Sequence, residues 1–532
     1  MKKIFIALMS VWLATSCSLD VTPENAITFQ SYFRTEQDIE SVMIQMVALV
    51  KNTQESWHFD YAGELFDFCR GYTAANETRS FLLSRLKYGA DWEQYYNVIY
   101  LANVIIENVH RAEKNVPQDR IDFYTRQANF YKAYMYYNLS TKWGEAVVTP
   151  DSEIRKYAKS SMIDVIDEAI RCGLEAVKLP AHDALYSYTG NRFTSRQIGS
   201  KGSAASLLAY AYAWKGSIID FYNIEGEDSE AAYREAVYWA GEVVEGRAGH
   251  YALENDPHNV VVKALYGNPL GVAVTDESIF EIETDKDHAI EYFCYSFIKA
   301  GTWWPFAPNS NQTNHSWNAT VGLTANKLET MYTYNETVKD MRLPAYFADG
   351  SDKSLEEIEK DLPETWDWDV AKANSTEYGM VFPRKYRKPI IIKENENSTI
   401  LKTWENNQVV FRLADVILLR AECNAKLGAT GAATTDLNTI RTRAGAATYP
   451  SSNDGNDLQL AVFKEREKEL VWERHRYFDI IRNGYHRTEF YGEWATLPDQ
   501  DIQDGAYFRP VGSEAFSRND LMRQNAFWLR QN

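Results

Sequence analysis

Between Tyr292 and Trp317 the chain places eight aromatic rings in 26 residues: Tyr292, Phe293, Tyr295, Phe297, Trp303, Trp304, Phe306 and Trp317. That is more than twice the 14% aromatic content of the whole chain. Gly301, Pro305, Asn309, Asn311, Gln312, Asn314 and His315 are interleaved with them. A sugar offers an apolar C–H face and a rim of hydroxyls, so binding one calls for a flat ring to stack on and amides, guanidinium or carboxylates to fork the hydroxyls. Rigid aromatics supply that contact at low entropic cost. Trp303, Trp304 and Trp317, with Tyr292 and Tyr295, are therefore the candidate ligand-stacking residues. The competing reading is core filling beneath long loops. Trp366 and Trp368, in the turn DLPETWDWDV, form a second-choice platform.

Other chemistries find little support. The chain has no HExxH, no GxSxG, no phosphate-cradling glycine-rich loop and no CxxC pair. Its nine histidines are scattered without metal-ligand spacing. Glycosidase carboxylates need not be close in sequence, and with 74 acidic residues a pair has no diagnostic value. Asp285 with Asp287, or Asp454 with Asp457, could offer calcium oxygens but lack EF-hand spacing. Cys69, Cys172, Cys294 and Cys423 are far apart and read as buried free thiols. No cofactor, metal or catalytic residue is assigned.

The elements that must position such a site are mainly helical. Trp92, Tyr95, Tyr96, Ile99, Ala102, Asn103 and Ile106 fall on one helical stripe, so Trp92 reads as core and not as a ligand platform. The aromatic-plus-alanine pattern returns at 128–139, 204–214 and 231–244. A helix over 413–427 ends at Gly428, a C-cap glycine. Small and aromatic residues alternating on paired helices point to stacked hairpins, loosely like tetratricopeptide units, although the full consensus is absent. The stretch FKEREKELVWERHRYFDIIRNG reads as one helix. Phe463, Leu470, Val471, Tyr477, Phe478 and Ile481 lie on one stripe. Glu465, Glu469, Glu473 and Arg476 lie on another, beside Trp472 and Ile480. Large apolar groups on both sides imply that the acidic stripe faces another element, with Arg441 and Arg443 as partners. The segments 246–405 and 485–532 are dense in Asn, Asp, Gly and Pro and read as irregular, with short strands near 272–283 and 389–393.

Lys2 and Lys3, an apolar run from Ile4 to Ala14 and small residues before Cys17 read as a secretory signal peptide over 1–16. A cysteine at that point suggests lipid attachment, although Ala14 stands where a strict lipobox has Leu. Simple secretion after Ser16 is the other reading. No other stretch approaches a membrane-spanning length. The net charge of −18 becomes −20 without the two lysines, which argues against nucleic acid and against docking on anionic lipid.

The spacing Glu465-Arg466, Glu469-Leu470, Glu473, Arg476, Asp479, Arg482 resembles the C-terminal signature of the SusD/RagB family of Bacteroidetes outer-membrane nutrient-binding lipoproteins. SLDVTPENAIT is similar to that family's start after its lipidated cysteine. RQANFYKAYMYYNLSTKWGEAVVTP (126–150) is similar to its second helical hairpin, and SKGSAASLLAYAYAW (200–214) to its small-residue helix. FRLADVILLRAECNAKLG followed by DLNTIRTRAG, and FRPVGSEAFSRNDLMRQN, also match in order. The resemblance implies one domain over 17–532. Four helical pairs would form a tetratricopeptide-like superhelix, mainly 27–245 and 406–484, with the loop-rich portion packed on it. It implies no enzyme activity but capture of oligosaccharides at the cell surface, anchored in the outer membrane through Cys17, for delivery to a SusC-like TonB-dependent transporter. A RagB-like peptide ligand, or a secreted glycoside hydrolase, are the alternatives. Family ligand sites combine a central loop with the loop after the first long helix. Here that first loop is 64–89, where Tyr72, Asn76 and Arg79 are the candidates.

Overall fold

A computed structural model of the chain describes residues 32–53, 65, 67–68, 86, 91–264, 275–283, 321–335, 338–348, 367–378, 381–383, 385, 389–395, 398–404, 407–517 and 519–531. Capping chemistry sets where its helices begin. Thr35 accepts from Asp38 N while the Asp38 carboxylate accepts from Thr35 N, opening α1 (Glu36–Leu49). Reciprocal boxes at Ser161/Asp164 and Ser200/Ser203 open α4 (Met162–Ala176) and α5 (Lys201–Tyr222). Asp228 caps α6 (Ser229–Val244) and Asp457 caps α9 (Leu458–Glu469). The remaining long helices are α2 (Glu93–Asn108), α3 (Gln118–Trp143), α7 (Leu413–Lys426), α8 (Thr430–Arg443) and α10 (Arg476–Asn483). Gly428, at φ +71°, ends the α7 turn as its sequence position suggests.

Four antiparallel pairs stack in order: α1/α2, α3/α4, α5/α6 and α7/α8. The second helix of each pair packs on the first of the next. This is the tetratricopeptide-like superhelix, in which each unit buries its apolar face only against its neighbours. Small residues make the close approaches workable: a Cβ on Gly216 of α5 would come within 2.7 Å of the Tyr233 ring on α6.

Among the described residues, the segment between α6 and α7 supplies two-stranded antiparallel ladders. β2 (Ser278–Ile282) pairs with β4 (Gln408–Arg412), which leads directly into α7. Phe280 and Phe411 carry that ladder onto the superhelix. Phe280 meets Phe130 at 5.1 Å, and Phe411 stacks on Tyr210 at 5.4 Å. A ladder over Pro389–Asn395 and Ser398–Trp404 includes the strand expected near 389. A second apolar cluster gathers Leu65, Leu323, Leu328, Tyr332, Tyr346, Phe347, Val471 and Trp472.

Two expectations are corrected. Residues 126–150 are not a hairpin: they are the C-terminal part of one 26-residue helix, α3, followed by the turn at Gly144, and the hairpin partner is α4. The helix expected over 463–484 is two helices. It breaks after Glu469, with Trp472 at φ +62° and Arg474 at φ +70°, and resumes at Arg476. No glycine or proline marks the break, so periodicity cannot see it; tertiary contacts hold the left-handed turn.

Candidate functional site

The acidic stripe does face another element. Arg441 Nε meets Glu465 at 2.8 Å and Arg443 Nη2 meets Glu469 at 2.6 Å, so both expected partners are in place. Three further cations come from separate segments of the chain and carry no local sequence signal. Arg412 Nη1 reaches Glu469 at 2.7 Å and Glu277 at 2.8 Å, and its Nε reaches Glu473 at 2.8 Å. Arg342 joins Asp340 to Glu465, and Lys385 Nζ donates to Glu473 at 2.7 Å and to the Glu469 carbonyl at 2.8 Å. Burial alone would raise the Glu473 carboxyl, but Arg412 and Lys385 override it and hold it at about 2. Burial pushes the Lys385 ammonium down to about 8. Arg476 is corrected in its role: it pairs with Glu467 and Glu489, each at 2.6 Å, and not with the Glu465–Glu473 stripe. Asp454 holds Arg441 through two bonds of 2.8 and 2.9 Å, and Asp457 caps α9. These carboxylates are therefore structural and do not form a calcium loop.

This network fixes the turn between α9 and α10, and the turn reaches the far side of the chain. Trp472 Nε1 donates to the Leu65 carbonyl at 2.9 Å. Two residues on, β1 (Asp67–Phe68) pairs antiparallel with β3 (Val321–Gly322), in the register Asp67↔Gly322 and Phe68↔Val321. Leu323 continues from β3 and accepts from Val381 N at 2.7 Å. The backbone just ahead of the candidates in the first loop is thus paired with the backbone just beyond Trp317 in sequence. Earlier in the chain, Glu283 N donates to Gln197 Oε1 at 3.1 Å.

The candidates Tyr72, Asn76, Arg79, Tyr292, Tyr295, Trp303, Trp304 and Trp317, together with Cys17, Trp366, Cys69 and Cys294, lie outside the described residues. Trp368 is half-buried, with Lys372 Nζ 5.7 Å over its ring. Trp92 is core, as its stripe position implies. Cys172 and Cys423 are buried free thiols, each pushed up to about 12 chiefly by burial, which makes them poor nucleophiles.

Among the described residues, no group of three His, Cys, Asp or Glu side chains is placed to hold a metal ion, and no helix is long and apolar enough to cross a membrane. Described clefts include one of about 590 Å³ between α2, residues 147–157 and residues 515–522. A more polar one of about 550 Å³ lies between α5, α6 and α10.

Comparison with known proteins accounts for this architecture. Residues 277–528 match the model of the SusD family, and residues 18–197 match the model described as "Starch-binding associating with outer membrane". The chain is 20% identical to SusD-like protein P25 of Formosa agariphila over 527 residues, covering 91% of this chain and 90% of the relative. A SusD homolog from Bacteroides thetaiotaomicron superposes with a TM-score of 0.70 at 20% identity, over 93% of this chain and 99% of that one. NanU of Bacteroides fragilis gives 0.62 at 17% identity, over 95% and 99%. The two sequence models leave unmatched only residues 198–276 and the chain ends, and the stacked helical pairs agree with the solved relatives: the chain belongs to the SusD/RagB family.

Proposed function

We propose that the protein is a surface lipoprotein of the outer membrane, anchored through Cys17, that captures oligosaccharides. It passes them to a SusC-like TonB-dependent transporter. The mechanism is binding and relay, with no bond made or broken. The observation that carries this reading is the β1–β3 pairing. It pairs Asp67–Phe68, just ahead of Tyr72, Asn76 and Arg79 in sequence, with Val321–Gly322, just beyond the stretch that carries Tyr292, Tyr295, Trp303, Trp304 and Trp317. Stacking rings from one segment and hydroxyl-forking amide and guanidinium groups from the other would then share one site. The family model named for starch binding and outer-membrane association supports the ligand class and the location.

The test uses the soluble protein lacking residues 1–17. A glycan array identifies the tightest saccharide, and titration calorimetry compares wild type with a Trp303→Ala, Trp304→Ala, Trp317→Ala triple variant. Binding is expected to be lost while the melting temperature holds, because hydroxyl bonds exchange with water at small net gain and cannot replace the stacking area. A triple variant that unfolds shows the rings to be core, with a cost of about 3–5 kcal/mol for each buried Trp. One that binds as wild type does removes these rings from the site.

A further inference from the structure

We propose a second carbohydrate subsite, selective for neutral sugars, in the cleft beside α2; it rests on the glycan-binding reading above. The cleft holds about 590 Å³, within the range of roughly 300–1,000 Å³ usual for small-molecule sites. One face of α2 lines it with residues at helical spacing: Tyr96, Asn97, Tyr100 and Asn103. Across from them stand residues 147–157, closed off by the C-terminal segment.

The cleft is preorganised. The Tyr96 hydroxyl donates to Val147 O and accepts from Val147 N, both at 2.8 Å, and its ring packs edge-on against Trp92 at 5.6 Å. On the opposite wall Asn519 Nδ2 donates to Tyr157 O at 2.7 Å, and Lys156 pairs with Asp520 at 3.1 Å. These bonds tie the 147–157 segment to the chain's end. Tyr100, by contrast, is 44% exposed, and neither its hydroxyl nor the Asn97 amide hydrogen-bonds a described residue. A fixed ring, an open ring with a free hydroxyl and a free amide on one face match a pyranose stacked on its C–H side.

Charge selects among sugars. Glu93, Asp151 and Glu153 line the cleft against a single lining cation, Arg155, which is already paired with Asp151 and, at 3.3 Å, with Glu153. The surplus is negative, on a chain of net charge −18, so uronates, sialic acids and phosphates are repelled. Ile154, 93% exposed at the rim, adds apolar surface.

The soluble protein lacking residues 1–17 is titrated with ladders of malto-, xylo-, manno- and galacto-oligosaccharides, and with oligogalacturonate and sialyllactose as acidic probes. The variants are Tyr100→Ala/Asn97→Ala and the Trp303/Trp304/Trp317 triple alanine. The α2 variant is expected to lose affinity for the tightest neutral ladder by at least about ten-fold, with an unchanged melting temperature and weaker binding of both acidic probes throughout. Unchanged affinity in the α2 variant, with loss in the triple variant, overturns the subsite and leaves the main reading standing. Tighter binding of an acidic probe overturns the charge selection. A wild-type protein that binds none of the neutral ladders, or only peptides, overturns both readings.

Discussion

Trp472 and Leu65 lie 407 residues apart in sequence, yet the indole Nε1 donates to the Leu65 carbonyl at 2.9 Å inside the second apolar cluster. The bond ties the left-handed turn after α9 to the approach of β1, so the C-terminal ion network and the first candidate loop share one anchor. Trp472→Phe keeps a ring but removes the donor. Leaving the buried carbonyl unpaired costs about 1–3 kcal/mol, to be read as a lower denaturant midpoint. An unchanged midpoint would mean the carbonyl finds another donor and the anchor is the ring alone.

Arg476→Ala is expected to destabilise through a different route from the stripe. It removes the guanidinium that Glu467 and Glu489 share, although Lys464 still reaches Glu467 at 3.1 Å and Glu489 at 2.8 Å. The loss falls at the lower end of the range for a broken buried pair, about 3 kcal/mol. Equilibrium unfolding measures it, and the paired variant Arg476→Lys should recover only part of it, because one ammonium cannot serve Glu467 and Glu489 as a guanidinium fork does.

Acid should unfold the protein through its buried carboxylates. Glu473 and Asp479 are each held at about 2 in the fold, and Glu469 sits well below the ordinary glutamate value of 4.5. A depressed carboxyl contributes stability that is complete above its unfolded pKa and disappears as pH falls through the folded one. The loss therefore spans roughly pH 4.5 down to 2. Lys385 acts at the other end: its folded value of about 8 lies below the ordinary 10.5. Over that alkaline window the unfolded chain holds more protons, and this group raises stability as pH rises. Urea midpoints at about pH 7 and about pH 3 test the acid arm, with a marked drop expected. A flat profile would mean the network is not charged as its geometry requires.

Cys17→Ala should move the protein from the outer-membrane fraction to the soluble fraction, since acyl chains on that cysteine are the proposed anchor. Membrane fractionation with and without the partner transporter separates the two tethers. Retention at the wild-type level without the transporter would sink the lipid anchor.

The sequence by itself determined the helical pairs, the acidic stripe with Arg441 and Arg443 opposite it, the cap at Gly428, the buried thiols at Cys172 and Cys423, and the family. All of these rest on local rules: period, capping residues and motif order are written within a few turns of chain. What only the tertiary structure decided depends on partners far apart in sequence. Arg342, Lys385, Arg412 and Glu277 look like ordinary loop and strand charges until folding sets them around Glu469 and Glu473. The break at Trp472 is invisible to periodicity because Leu65 and the ion network, not a glycine or proline, hold it. The pairing of Phe68 with Val321 is likewise a long-range backbone contact. A β-ladder of two residues carries no pattern long enough to read, so only the folded chain reveals it.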